Sequence, residues 1–317
     1  MTVTLNAAID RTLTVPNFQR GHRHRASAGM TFAGGKGINV ARALKALDVP
    51  VVATGFAGGR TGTRIVEELT EEAILNDFVR IAGESRTSTL VIDPAGGSSS
   101  TEIYEWGPEA SPDEVSMLLE KVAYLARAAD LVILAGSLPR GVDSAFYGET
   151  IRELSRRRVR AVLDTEGEPL RRGVEAEPWL VSPNQREAES LVGQEFHDEE
   201  DFVMALDAIA ELGARNVVIG HEGGAFALIR EERRSQHYDV RIPPLEPLAA
   251  AGSGDAMLAG YLAARVAERS PEEALRAAVA TGAAATLEVG GGRFDPREVG
   301  RLEALVKVQE VEPVTAT

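Results

Sequence analysis

At 317 residues, 44% of them hydrophobic, the chain is long enough for one large α/β domain or a domain with an appendage. A formal charge of −14 argues against unspecific attraction to nucleic acid or an anionic membrane, and the lack of any cysteine excludes a disulfide framework, a thiolate zinc site and a cysteine nucleophile. No stretch approaches the roughly 20 apolar residues that span a bilayer, and the N-terminus MTVTLNAAIDRT lacks the basic-then-apolar order of a secretory signal, so a soluble, cytoplasmic protein is expected.

In chain order, the first strand candidate is Val3 to Leu5, followed by an irregular stretch, Arg11 to Phe32, and a glycine cluster that runs into an amphipathic helix. Val51 to Thr54 then reads as a strand and Gly62 to Leu75 as a helix. Thr87 to Trp106 alternates TSTLVIDP and TEIYEW around the turn-forming AGGSSS. Helical patterns at Pro112 to Ala129, Ser144 to Arg157 and Asp198 to Leu212 interleave with apolar strands at Leu131 to Ala135, Ala161 to Asp164, Trp179 to Ser182 and Val217 to Ile219. This rhythm predicts a mostly parallel sheet covered on both faces. The two segments that break it, about 11–32 and 87–106, read as strands outside that sheet, forming either a small β-lid or an immobile edge hairpin. Asp255 to Ala267 and Pro271 to Val289 are apolar on nearly every face, as buried helices are. No repeat or long linker is visible, so a single domain over residues 1–317 suffices.

Three local patterns point to chemistry. Ala250-Ala251-Gly252-Ser253-Gly254-Asp255 opens directly into a buried helix. Its small residues let a ligand approach the first-turn N–H groups, and the helix dipole attracts phosphate. Asp255 would stand at the same end, able to accept a hydroxyl proton; the plainer reading is a capped helix start. In Phe32 to Ala43 a glycine cluster carries Lys36 and Asn39, suited to sugar hydroxyls, or forms only a tight turn; Gly37 after Lys36 excludes a Walker loop. Ser182-Pro183-Asn184-Gln185-Arg186-Glu187 follows a strand, where ligands collect in open α/β sheets. There Asn184 and Glu187 share a helix face and would hold hydrated Mg2+, or merely cap the helix.

The pairing of GGKGINVARAL with AAGSGDAMLAGYLAA closely resembles the two hallmark motifs of the ribokinase/PfkB carbohydrate kinases, and Thr4 to Asp10, Ala135 to Pro139, Pro183 to Glu187 and Ala278 to Leu287 extend the match nearly end to end. The order resembles the branch that phosphorylates ketohexose phosphates (fructose 1-phosphate, fructose 6-phosphate or tagatose 6-phosphate), and Thr101 to Pro108 tilts towards tagatose 6-phosphate. The resemblance implies a three-layer ribokinase-like sandwich with a β-lid and ATP and Mg2+ as cofactors; an exposed β-layer is a ready association surface, so a homodimer through the lid is expected. It implies that Gly252, Ser253 and Gly254 form the anion hole with Asp255 as catalytic base, that Asp10, Gly35, Lys36 and Asn39 hold the sugar, and that Arg86 and Ser137 meet its phosphate. Asn184, Gly224 and Gly254 would line the nucleotide, with Mg2+ placed through Asn184 and Glu187. An ordinary Asp pKa of about 3.9 would make Asp255 a weak base.

Two departures bear on the nucleotide. Ser182 stands where the family commonly has lysine, and Ile219 to Gly224 replaces a loop that usually begins with a hydroxyl residue. They leave room for a non-catalytic sugar or nucleotide binder. A kinase for a neutral sugar or nucleoside is the other alternative, and it would tolerate loss of Arg86. Dehydrogenase chemistry lacks its GxGxxG fingerprint.

Overall fold

The computed structural model describes residues 1–95, 100–231 and 234–313; most of the AGGSSS turn lies outside them. The N-terminal half comprises strands β1 (Thr2–Thr4), β2 (Ala8–Thr14) and β3 (Ala28–Gly34), helix α1 (Lys36–Ala46), β4 (Val52–Gly58), α2 (Gly59–Glu71), β5 (Leu75–Asn76), β6 (Val79–Ile81), β7 (Arg86–Ile92), β8 (Ser100–Tyr104), α3 (Pro112–Leu125) and β9 (Leu131–Ala135). It continues with α4 (Phe146–Arg156), β10 (Arg160–Asp164), α5 (Gly167–Val174), β11 (Leu180–Val181), α6 (Gln185–Val192), α7 (Glu199–Leu212) and β12 (Val217–His221). The last part holds β13 (Gly224–Glu231), β14 (Arg234–Arg241), α8 (Ser253–Val266), α9 (Pro271–Ala285), α10 (Pro296–Glu303) and β15 (Lys307–Val311).

Among the described residues the main sheet has 11 strands in the order β15-β14-β13-β12-β11-β10-β9-β1-β4-β5, with β6 also on β4. From β12 through β10, β9 and β1 to β5 the pairings are parallel. β13, β14 and β15 extend it antiparallel. Two apolar clusters cover its faces. One gathers α1, α8 and α9 through Ile38, Leu44, Leu258, Leu262 and Leu275; the other gathers α3, α4 and α7 through Leu118, Ile151 and Leu206. This is the expected three-layer sandwich. Alanine and small residues let α8 and α9 bury nearly every face, as their composition required.

A second sheet, β3-β2-β7-β8, takes up the two segments that broke the rhythm. β2 pairs parallel with β7 in the register Ala8↔Arg86, which sets Asp10 and Arg86 close together on adjacent strands. Both sheets are fed by β1, because its chain turns at Leu5-Asn6 and enters β2. β3 runs through Gly34 into α1 with one residue between, Gly35, at φ 109°. No helix among the described residues is long and apolar enough to cross a membrane.

Candidate active site

The carboxyl ends of parallel strands β1, β9, β10 and β11 deliver Asn6, Ser137, Asp164 and Asn184 to one edge of the sheet. Facing that edge are the N-termini of α1 and α8. Gly252 caps α8 in the left-handed conformation (φ 82°), and a Cβ there would lie 2.6 Å from the Cα of Gly291. Glycine is therefore needed twice over, for the turn and for the approach. Asp255 sits in the first turn of α8, 6% exposed, and accepts a hydrogen bond from Asn39 Nδ2 at 2.8 Å.

Lys36, the first residue of α1, reaches the other way. Its Nζ donates to Asp164 Oδ1 at 2.8 Å and to Glu187 Oε1 at 2.9 Å, tying α1 to β10 and α6. Asp10 lies against Gly34, where any Cβ would overlap its carboxylate. Arg86 donates from Nε to Asn6 O at 3.1 Å and from a terminal nitrogen to Glu105 O at 3.2 Å, with Tyr104 beneath its guanidinium. Asn6 Nδ2 donates to Ser137 Oγ at 3.1 Å, so Ser137 is joined to the same group.

The charges interact. Burial pushes Asp255 above the usual carboxylate range, Asp164 adds to the rise, and Lys36 and the Asn39 bond oppose it. The ordinary pKa expected from sequence is thus corrected: Asp255 is buried within reach of Asp164 and Asp10. Asp10 is pushed up to about 6 by burial, against the pull of Arg86, Arg42 and the Gly35 N–H. Glu187 is also raised by burial, with Lys36 opposing. Burial acts to lower Lys36, but Asp164, Glu187 and Asp255 outweigh it and hold the ammonium above its ordinary value.

The sequence-derived residues fall into three groups. Asp10, Gly35, Lys36, Asn39, Arg86, Ser137 and Asp255 converge with the Gly252-Ser253-Gly254 turn. Asn184 and Glu187 form a reciprocal cap on α6, Asn184 Oδ1 accepting from Glu187 N at 3.0 Å and Glu187 Oε2 from Asn184 N at 2.9 Å, while the second carboxylate oxygen of Glu187 binds Lys36. The capping and ligating readings of this turn are therefore compatible. Gly224 starts β13, where a Cβ would overlap Val240 O, so a packing need accounts for this glycine. Sequence reasoning missed Asp164 and Arg42. A carboxylate closing the apolar run Ala161 to Leu163 was the available signal for the first; Arg42 gave none, because its contacts come from four separate segments, at Ala33, Asn39, Glu72 and Gly291, that only the fold brings together. His221, at the end of β12, was not singled out either. Its Nδ1 lies 2.7 Å from Glu222 O, its ring packs on Phe202 and Phe226, and burial lowers its pKa.

The family model described as pfkB family carbohydrate kinase matches residues 3–297. The 1-phosphofructokinase of Bacillus subtilis is 32% identical over 295 residues, covering 92% of this chain and 95% of the relative. That of Borreliella burgdorferi is 30% identical over 312 residues, covering 98% of each. Among solved structures, phosphofructokinase-2 from Escherichia coli in complex with substrates and products superposes with a TM-score of 0.87 at 28% identity, over 96% of this chain and 97% of that one. Arabidopsis thaliana ribokinase complexed with ribose and ATP shares the fold, with a TM-score of 0.73 at 22% identity over 95% and 97% of the two chains.

Proposed function

The chain belongs to the pfkB family of carbohydrate kinases, and from that premise we propose that it transfers the γ-phosphoryl group of ATP to a hydroxyl of a ketohexose phosphate, fructose 1-phosphate foremost, giving a bisphosphate. The observation that carries the reading is Asp255: a carboxylate of raised proton affinity, hydrogen-bonded to Asn39, in the first turn of a helix that opens on a glycine turn. The relatives' names favour fructose 1-phosphate over the tagatose 6-phosphate suggested by Thr101 to Pro108.

In this reading Asp10 accepts bonds from sugar hydroxyls, with the Gly35 N–H and Asn39 beside it. Arg86 and Ser137 meet the phosphate already on the substrate; a guanidinium suits that task. Asp255 takes the proton of the attacking hydroxyl, and a proton affinity nearer neutrality makes it a better base than an exposed aspartate. Backbone N–H groups of Gly252, Ser253 and Gly254 hold the phosphoryl group in transit, because transfer needs alignment and charge neutralisation more than covalent help. Asn184, Gly224 and Gly254 border the nucleotide.

The donor set fits Mg2+. The expected pair, Asn184 and Glu187, supplies hard oxygens, with Asp164 beside Glu187 as a further carboxylate that Lys36 joins to it, and Mg2+ takes one or two carboxylates while keeping waters. When bound with the nucleotide, it would screen the donor phosphates. Lys36 would keep the two carboxylates in place and lend positive charge to the same edge.

The small sheet would act as a lid of the one kinase domain and as a homodimer surface: Met30, Ile103, Tyr104 and Trp106 are exposed there, Trp106 by 84%. A monomer by light scattering at micromolar concentration would rule out that dimer. A cytoplasmic location agrees with small phosphorylated substrates, and a secreted native protein would overturn it. Release of ADP from Mg-ATP with fructose 1-phosphate, fructose 6-phosphate, tagatose 6-phosphate, fructose and ribose tests the reaction. Turnover confined to one ketohexose phosphate is expected. Turnover only with a free sugar would transfer the proposal to neutral acceptors, and none at all would favour a binding protein.

A further inference from the structure

Among the described residues, one buried guanidinium is left over once the substrate and phosphate roles are assigned. Arg42 lies on α1 one turn after Asn39, with only 7% of its surface exposed. Its guanidinium donates in three directions: from Nε to Oε2 of Glu72, the C-cap of α2, at 2.8 Å, from one terminal nitrogen to Ala33 O in β3 at 2.7 Å, and from the other to Gly291 O at 2.8 Å and Asn39 Oδ1 at 3.4 Å. Glu72 is held from its other oxygen by Arg293 at 2.7 Å, and Arg293 stacks over Phe32.

Each contact bears on the geometry of transfer. An amide has one accepting and one donating end, an ionised carboxylate only accepts, and a guanidinium only donates. Arg42 on one side of Asn39 and Asp255 on the other therefore permit a single orientation of the amide, with Oδ1 to Arg42 and Nδ2 to Asp255. The Gly291 carbonyl that Arg42 grips belongs to the turn that supports Gly252, and a Cβ on Gly291 would overlap the Asn39 amide. The Ala33 carbonyl lies in β3 opposite Ile9, next to Asp10.

We propose that Arg42 is a positioning residue for phosphoryl transfer, fixing the Asn39 amide against the Asp255 carboxylate. The proposal rests on Asp255 being the base. Displacement of a reacting group by a fraction of an ångström to 1 Å is enough to cost up to about 10²-fold in rate. The loss falls chiefly on kcat, with a smaller rise in KM for the sugar phosphate because Asn39 also borders the sugar, and none in KM for ATP.

The test is a kinetic cycle on the full chain with Arg42→Gln, Asn39→Ala, the double variant and Asp255→Asn, using fructose 1-phosphate and Mg-ATP and checking each fold by circular dichroism and melting. Arg42→Gln is expected to lower kcat about 10- to 100-fold with KM for ATP within roughly 3-fold and KM for fructose 1-phosphate rising by a smaller factor than kcat falls. In the Asn39→Ala background, where there is no amide to orient, most of that loss should vanish. An equal loss in both backgrounds would overturn the proposal, as would a wild-type kcat in folded Arg42→Gln. Should Arg42→Gln fail to fold, Glu72→Gln serves instead: it frees the Nε end of Arg42, leaves the carbonyl contacts, and should lower kcat by a smaller factor that again shrinks without Asn39. Full activity in Asp255→Asn would instead refute the base, a separate outcome from any result at Arg42.

Discussion

Asp10→Asn should separate what the active site costs the fold from what it gives the reaction. Burial lifts the Asp10 pKa from the model-peptide 3.8 to about 6, even though Arg86, Arg42 and the Gly35 N–H favour the charged form. A shift of about two units corresponds to about 3 kcal/mol at about 1.36 kcal/mol per unit. The sign follows from linkage: a carboxyl whose folded pKa is raised binds its proton more tightly when folded. The neutral form is accommodated at low pH, and stability is lost as pH climbs from 3.8 through about 6. An asparagine never ionises, so the ligand-free variant should melt higher than wild type at pH 8, by up to about 3 kcal/mol, and close to wild type at pH 4. The same change removes an acceptor of sugar hydroxyls, so KM for the ketohexose phosphate should rise by roughly 10-fold or more, the scale of a charge-assisted hydrogen bond. Calorimetry at several pH values and initial rates read the two effects independently. A melting gain that is equal at pH 4 and pH 8, or absent at both, would refute the account of a strained, buried carboxylate.

Three further outcomes are expected. Asp255→Asn should lower kcat by about 10²-fold or more while ATP still binds, measured by calorimetric titration against rates; near-normal turnover would remove Asp255 as base. Because burial and Asp164 raise its pKa, the acid limb of kcat/KM against pH should lie above the ordinary aspartate range, activity rising as the carboxylate ionises, and a limb near pH 4 would contradict this. Arg86→Ala should raise KM for the sugar phosphate by roughly 10- to 100-fold and leave ATP KM nearly unchanged, so an unaltered sugar-phosphate KM would detach Arg86 from the phosphate.

Much of this site was legible because its parts are local. A glycine run into a helix, an aspartate after a GxG turn and a Pro-Asn after an apolar strand are each short-range patterns, and the structure brings Asp255, Asn39, Lys36 and Glu187 into one group. The parallel core was legible for the same reason, since apolar strands and amphipathic helices alternate. What escaped depended on distance or on mixed composition. β14 carries Arg234, Gln236, His237 and Asp239, and β15 Lys307, Gln309 and Glu310, so neither has the apolar run that marks a buried strand; β14 forms because β13 offers an edge, and β15 because β14 does. The short helices α5 and α10 are too brief for a periodic signal. Arg42 reads in sequence as one more polar position on an amphipathic helix. The raised proton affinities of Asp10 and Asp255 come from burial, which composition does not report.

The close fit of Gly252 on Gly291, and of Gly291 on Asn39, also limits how such a protein can diversify. Any side chain at either glycine displaces a neighbour in the corner where phosphoryl transfer is proposed, so this corner tolerates no gradual exploration. The small sheet has looser constraints: Met30, Ile103 and Tyr104 are exposed on it, and Asp10 and Arg86 are brought together by strand register and charge rather than by a steric fit. New acceptors in this lineage should therefore arise by substitutions on that sheet, with the transfer corner inherited unchanged.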